Sequence, residues 1–244
     1  MAGRLYAGTS GFAYPSWAPT FYPEGTRADG LLPFYSAHLP ACELNNTFYR
    51  HPTPERIAEW IRSTPPDFRF TVKALRTGSI RAVRTDPQGT LPWLTAPLRH
   101  FGDRLGAVLL RVPEEQQRDD DRLGEFLRRW PSELPLAMEF QHPSWIADEV
   151  LAALQKVGAV LCLTELDADP LPPTIRLTGG FLYLRLRRSD YEPAEIDAWA
   201  ARLAPFLDDD RDAYVFFRHD DEGQAPMRAQ ALLSAVSRTS AARR

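Results

Sequence analysis

The 244-residue sequence has two cysteines, Cys42 and Cys162, far apart and each inside an apolar run. That excludes a disulfide framework and a CxxC metal or redox site, leaving two core thiols in a reducing compartment. Five histidines are a thin supply for a trinuclear metal site. No apolar stretch reaches the length of a membrane helix, and MAGRLYAGTSG lacks the apolar segment of a secretion signal, so the expected location is cytoplasmic, with no membrane partner. Neither sign of charge dominates. A net charge of −3 argues against a broad nucleic-acid-binding face but allows a focal cluster of cations in a cleft. The spacings GxGxxG and GxxxxGK[ST] are missing, as are internal repeats and heptads. No cofactor is therefore expected, apart from a single divalent cation near Glu139 and His142, kept as an option.

What is present is alternation. With 44% hydrophobic and 25% charged residues, the chain has enough apolar matter for one domain with a sizeable core. Short β-branched or aromatic runs fall at 4–9, 41–45, 69–73, 107–112, 136–140, 159–164, 181–186 and 213–217. Segments of helical period fall at 30–38, 54–63, 91–101, 122–130, 146–157, 194–206 and 227–236. Eight strands alternating with seven helical segments predict a single α/β domain over 1–236, a TIM (β/α)8-type barrel. The Asp- and Pro-rich segment 165–178 predicts an irregular stretch in place of a full sixth helix. The acidic run 119–121 reads as a solvated loop or a helix start, and 237–244 as a frayed basic tail.

Six of the apolar runs end on a charged or amide residue: CELNN, FTVK, VLLRV, AMEFQH, YLRLR and YVFFRH. Side chains alternate across a strand, so the apolar set on each run marks the helix-facing side and turns its partners inward. Glu43, Asn45, Thr71, Lys73, Arg111, Glu139, Gln141, Tyr183, Arg185, Arg187, Tyr214 and Arg218 are placed inside. The polar members sit late in their strands, where barrels of this kind carry their active sites. Ion pairing between neighbours, Glu43 with Lys73 and Arg111 with Glu139, is the alternative to a functional site, although six ionic or amide residues are a costly way to fill a core. Among the loop aromatics, Tyr49 and Trp145 are the candidate pocket walls and the others read as lid packing.

Together these residues resemble the YecE-like proteins grouped as domain of unknown function 72. The likeness runs through GTSGFAYPSW with FYPEG, ELNNTFYR, PPDFRFTVKALR, MEFQHPSW, FLYLRLR and YVFFRHDDEGQAP. It implies a TIM barrel without an assigned reaction, and it points at Glu43, Asn45, Lys73, Glu139, His142, Trp145 and Arg185. The sequence departs from that pattern at Gln141, Arg187, Arg188, Arg218, His219 and Gln224, which makes the expected pocket unusually cationic.

Several chemistries fit these residues. In the first, a hydrolase or lyase binds a small anionic or phosphate-bearing ligand through Lys73, Arg111, Arg185, Arg187 and Arg218, with Glu43 or Glu139 moving the proton. Asn45, Tyr49, His142 and Trp145 complete that substrate site. Within it, Lys73 is a candidate Schiff-base nucleophile, because neighbouring cations lower a lysine pKa. The alternatives are a barrel that binds an anion or nucleic-acid phosphate without turnover, and a glycoside hydrolase using the pair Glu43 and Glu139.

Overall fold

The structure, a computed structural model, describes residues 2–242. Eight parallel strands form its centre: β1 (Leu5–Thr9), β2 (Ala41–Leu44), β3 (Arg69–Lys73), β4 (Leu105–Val112), β5 (Leu136–Phe140), β6 (Val160–Glu165), β7 (Leu182–Leu186) and β8 (Ala213–Phe217). They are ordered β1-β8-β7-β6-β5-β4-β3-β2. A bridge between Ser10 and Glu43, with the Gly11 amide donating to the Glu43 carbonyl at 2.8 Å, draws β1 and β2 together. Gly8 permits this approach, since a Cβ there would lie 2.0 Å from the Ala41 carbonyl oxygen.

The strand parity predicted from the sequence holds within the strands, but Gln141, expected inside, lies past the end of β5 and is exposed. Cys42, Leu44, Phe70, Val72, Val108, Leu110 and Met138 pack under the helices, while Tyr6, Ala107, Leu109, Ala137, Tyr183, Tyr214 and Phe216 fill the barrel. This interior is a packed core at its lower and middle levels, and only the C-terminal strand ends leave it for ionic side chains.

The surrounding helices are α1 (Ala28–His38), α2 (Pro54–Arg62), α3 (Arg76–Arg84), α4 (Pro87–Thr95), α5 (Asp120–Arg129), α6 (Asp148–Val157), α7 (Pro193–Asp208) and α8 (Gln224–Ala242). The acidic run proves to be a helix start: Asp119 accepts from the Arg122 amide at 3.0 Å, and Asp120 and Asp121 lie in the first turn of α5. No helix follows β6, as the Pro-rich segment predicted.

Two expectations change. The single helix expected at 91–101 is replaced by α3, α4 and 3-10 turns over Ala96–Arg104. The sequence hides α3 because its buried face is made of Gly78, Ser79, Ala82 and Val83, too small to print a strong apolar stripe. The expected frayed tail is helical through Ala242, where Arg238 pairs with Asp197 of α7 at 2.8 Å. The last two arginines lie outside the described residues.

Candidate functional site

At the C-terminal mouth, β7 sends Arg185 across the barrel between two carboxylates. Its Nη2 donates to Glu43 Oε1 on β2 at 2.9 Å and its Nη1 to Glu139 Oε1 on β5 at 2.8 Å. All three are buried. Each carboxylate has further donors. The Tyr183 hydroxyl reaches Glu43 Oε2 at 2.7 Å, the Ser10 hydroxyl reaches Glu43 Oε1 at 3.0 Å, and the Thr164 hydroxyl reaches Glu139 Oε1 at 3.0 Å. A buried carboxylate–guanidinium–carboxylate bridge is stable only when its lone pairs are met in this way. One is left over: Glu139 Oε2 has no hydrogen bond, and its nearest cation is Arg111 Nε at 3.4 Å, which is unpartnered too.

The electrostatics divide the cluster into locked and free groups. Burial pushes the Glu139 carboxyl up, but Arg185 and Arg111 outweigh it and hold the group at about 2. Glu139 is thus an anion throughout the neutral range. Lys73, at the end of β3, behaves oppositely. Burial and then Arg185 lower its amine from 10.5 to about 8, against the pull of Glu43 and Glu139. Its Nζ makes no hydrogen bond or ion pair with the described residues and lies 4.1 Å from the centre of the Phe48 ring. Arg187, beyond the end of β7, is half-buried with no ion pair among the described residues. Its guanidinium is destabilised by burial and by Arg185.

Relatives share this architecture. The family model described as Protein of unknown function DUF72 matches residues 6–243. The chain belongs to the DUF72 family. It is 22% identical to the UPF0759 protein YunF of Bacillus subtilis (strain 168), covering 91% of this chain and 90% of that one. Crystal structures of DUF72 family proteins superpose on it over 96% of its length. That from Thermotoga maritima MSB8 gives a TM-score of 0.83 at 25% identity over 99% of the other chain. That from Enterococcus faecalis V583 gives 0.74 at 19% identity over 96% of the other chain.

Within this DUF72 barrel the residues singled out from sequence do not all converge. Glu43, Lys73, Arg111, Glu139, Arg185 and Arg187 do, as the electrostatic couplings of Lys73 and Arg187 show. Asn45 instead lines a separate cavity of about 600 Å³ with Phe12, Leu44 and Trp60. Trp145 is not a pocket wall. It is fully buried, stacks on Phe140 at 4.8 Å and donates its indole N–H to the Gln116 carbonyl at 2.7 Å. Tyr49 is 79% exposed just past the 3-10 turn Asn46–Phe48 that follows β2 and meets the Phe48 ring edge-on, so it forms no pocket wall. Arg218, expected to point inward, is exposed past the end of β8, where the strand parity no longer applies. His142 Nδ1 accepts from the Ser144 amide at 3.2 Å and caps the turn Pro143–Trp145. Among the described residues no group of three His, Cys, Asp or Glu side chains is placed to hold a metal ion. No helix among those residues is long and apolar enough to cross a membrane.

Sequence reasoning passed over Ser10, Thr164 and Phe48 as site residues. Thr164 had a legible signal, because in VLCLTE the apolar Leu161 and Leu163 turn it inward with Cys162. Phe48 had none, since it lies on an irregular turn after β2 where no period applies.

Proposed function

We propose that this DUF72 chain is an enzyme acting on a small anionic carbonyl compound at the barrel mouth, with Lys73 as the nucleophilic amine. The observation that carries this reading is an unpaired amine on a largely buried side chain beside an aromatic ring, with its pKa lowered to about 8. At pH 7.5 about a quarter of such amines are uncharged, against about one in a thousand at an ordinary lysine pKa of about 10.5. The uncharged amine adds its lone pair to a carbonyl carbon, a proton passes from nitrogen to oxygen, and a second proton taken from solvent lets the hydroxyl leave as water to give an iminium ion. That cation withdraws electron pairs from bonds at the neighbouring carbon, and hydrolysis of the imine returns the free lysine. Lyase chemistry is the reaction class this supports.

Arg111 and Arg187 supply the affinity for an anionic substituent, since neither is fully neutralised by the protein. Glu43 and Glu139 take a different part from the proton transfer considered from sequence. Both carboxyl groups are held in place by Arg185, and Glu139, an anion at neutral pH, keeps a positive iminium tolerable in the site. A glycoside hydrolase needs open space for the sugar between its two carboxyl groups, and here the Arg185 guanidinium fills that space.

Trapping tests the proposal. The protein is incubated with glyoxylate, a small anionic aldehyde, and sodium cyanoborohydride, then digested and mapped by mass spectrometry. The chain has only two lysines, and Lys156 is exposed, so it reports background alkylation. The expected result is faster modification of Lys73 than of Lys156 between pH 7 and 8. Modification of Lys156 alone would refute the reading. The second reading, anion binding without turnover, is favoured by the commitment of both carboxylates to Arg185. It predicts saturable binding of glyoxylate with Lys73 unmodified.

A further inference from the structure

The missing sixth helix has a consequence at the barrel wall. Strands β5 and β6 pair only through Ala137 with Val160 and Met138 with Leu161, although β5 continues to Phe140 and β6 to Glu165. Above that point no backbone pairing joins the two strands, and the Thr164 hydroxyl to Glu139 bond crosses between them on the barrel side. A cavity of about 580 Å³ opens there, and both faces of β6 line it: Cys162 and Thr164 from the barrel interior, Leu161 and Leu163 from the helix-facing side. A space that touches both faces of one strand passes around its edge, so this cavity joins the barrel mouth to the outer flank. Elsewhere in the barrel a helix would close that flank. Here the segment 166–181 covers it, tied down by the Thr178 hydroxyl, which accepts from the Leu161 amide at 2.8 Å and donates to the Ala159 carbonyl at 2.9 Å.

The two ends of the cleft differ in chemistry. Its inner end holds Arg111, Arg187 and Glu139, including the buried Glu139 Oε2 and Arg111 Nε that have no hydrogen-bond partner. Its wall and outer rim hold Leu161, Leu163, Phe140, Ile146 and Leu166, and the last two are about half exposed at 55% and 47%. Exposed Ile and Leu side chains bordering a cavity whose far end is cationic are complementary to one kind of molecule.

The geometry points to an amphipathic anion as the ligand of this cleft: an anionic head at Arg111 and Arg187, and a hydrocarbon tail leaving the barrel between β5 and β6 over Leu161, Leu163 and Ile146. The inference rests on the anionic-substrate part of the reading above and extends it to the rest of the substrate. The cavity volume lies within the range of roughly 300–1,000 Å³ common for small-molecule sites. Two acidic residues, Glu114 and Asp169, also line the cleft, but Asp169 already accepts from the Leu166 amide at 2.7 Å.

Calorimetric titration with inorganic phosphate and with butyl, hexyl and octyl phosphate at fixed ionic strength tests this. The expected result is an affinity gain of about fourfold for each methylene that enters the cleft, levelling off when the tail reaches solvent. Ile146→Asp and Leu166→Asp alter half-exposed side chains at the outer rim. They should abolish the chain-length gain while leaving binding of inorganic phosphate within twofold. Equal affinity for inorganic and octyl phosphate would overturn the cleft inference and leave the anion site standing. A chain-length gain that survives both substitutions would place the tail elsewhere and also overturn it. Absence of binding by any of the phosphates would overturn the cleft together with the anion site it depends on. A chain-length gain abolished by the substitutions, in a protein whose Lys73 resists trapping, would support the cleft and remove only the amine chemistry.

Discussion

Replacing Lys73 with Met should make the protein more stable. Methionine keeps the unbranched shape of the side chain and removes the charge, so the change isolates what the folded barrel does to a buried ammonium group. The fall from 10.5 to about 8, at about 1.4 kcal/mol per tenfold change, means that folding opposes the charged amine by about 3 kcal/mol. The sign and pH window follow from proton linkage. Below pH 8 both the folded and unfolded states carry the proton, and the full penalty operates. Between 8 and 10.5 the folded protein has released the proton while the unfolded chain keeps it, so wild-type stability rises with pH. Urea denaturation at several pH values from 7 to 10.5 reads this directly. The Met variant should exceed wild type by about 3 kcal/mol at pH 7, with the difference shrinking toward zero near pH 10.5. A variant less stable than wild type at pH 7, or a difference that does not change with pH, would refute the reasoning. A residue whose removal stabilises the fold and abolishes trapping is one that the fold tolerates for its chemistry.

Three other outcomes follow from the same structure. Glu139→Gln should cost about 3 kcal/mol at pH 7, because a carboxyl held at about 2 instead of 4.5 contributes stability that is full above pH 4.5 and is lost as pH falls toward 2. Urea midpoints of variant and wild type should converge across that window. Gly8→Ala should destabilise by about 3 kcal/mol or more, since the new Cβ meets the Ala41 carbonyl oxygen at 2.0 Å. Thermal denaturation measures it, and an unchanged midpoint would mean that β1 and β2 are not drawn together as described. Trp145→Phe should cost about 1–2 kcal/mol through the lost hydrogen bond to Gln116. It should leave glyoxylate trapping at Lys73 unchanged, whereas a pocket-wall tryptophan would alter it.

The strands were the most legible part of this chain because period two survives in nearly every one, and the same parity placed Glu43, Lys73, Arg111, Glu139 and Arg185 in one interior. It failed where the period ends. Arg218 follows the last residue of β8, and its side chain turns to solvent. Trp145 and Tyr49 lie on or just past short 3-10 turns, where composition alone cannot separate an aromatic packed under a loop from one facing a pocket. Which carboxylates stay charged was illegible for another reason. Residue type and parity bring Arg185 into the same space as Glu43 and Glu139, but only the distances show it bridging both and leaving Lys73 unpaired. The gap between β5 and β6 was foreshadowed by the Pro-rich segment after β6, whose inability to form a helix leaves that flank to a loop.

The central claim is that the Lys73 amine titrates near 8, so that a reactive fraction of it is uncharged at neutral pH. Because the chain contains only Lys73 and Lys156, protein labelled with ¹³C at the lysine ε-carbon gives two signals, which Lys73→Met assigns. A titration midpoint for Lys73 near 8 is the predicted result. A midpoint at 10 or above would contradict the account, because an amine that stays charged at neutral pH cannot act as the nucleophile of this site.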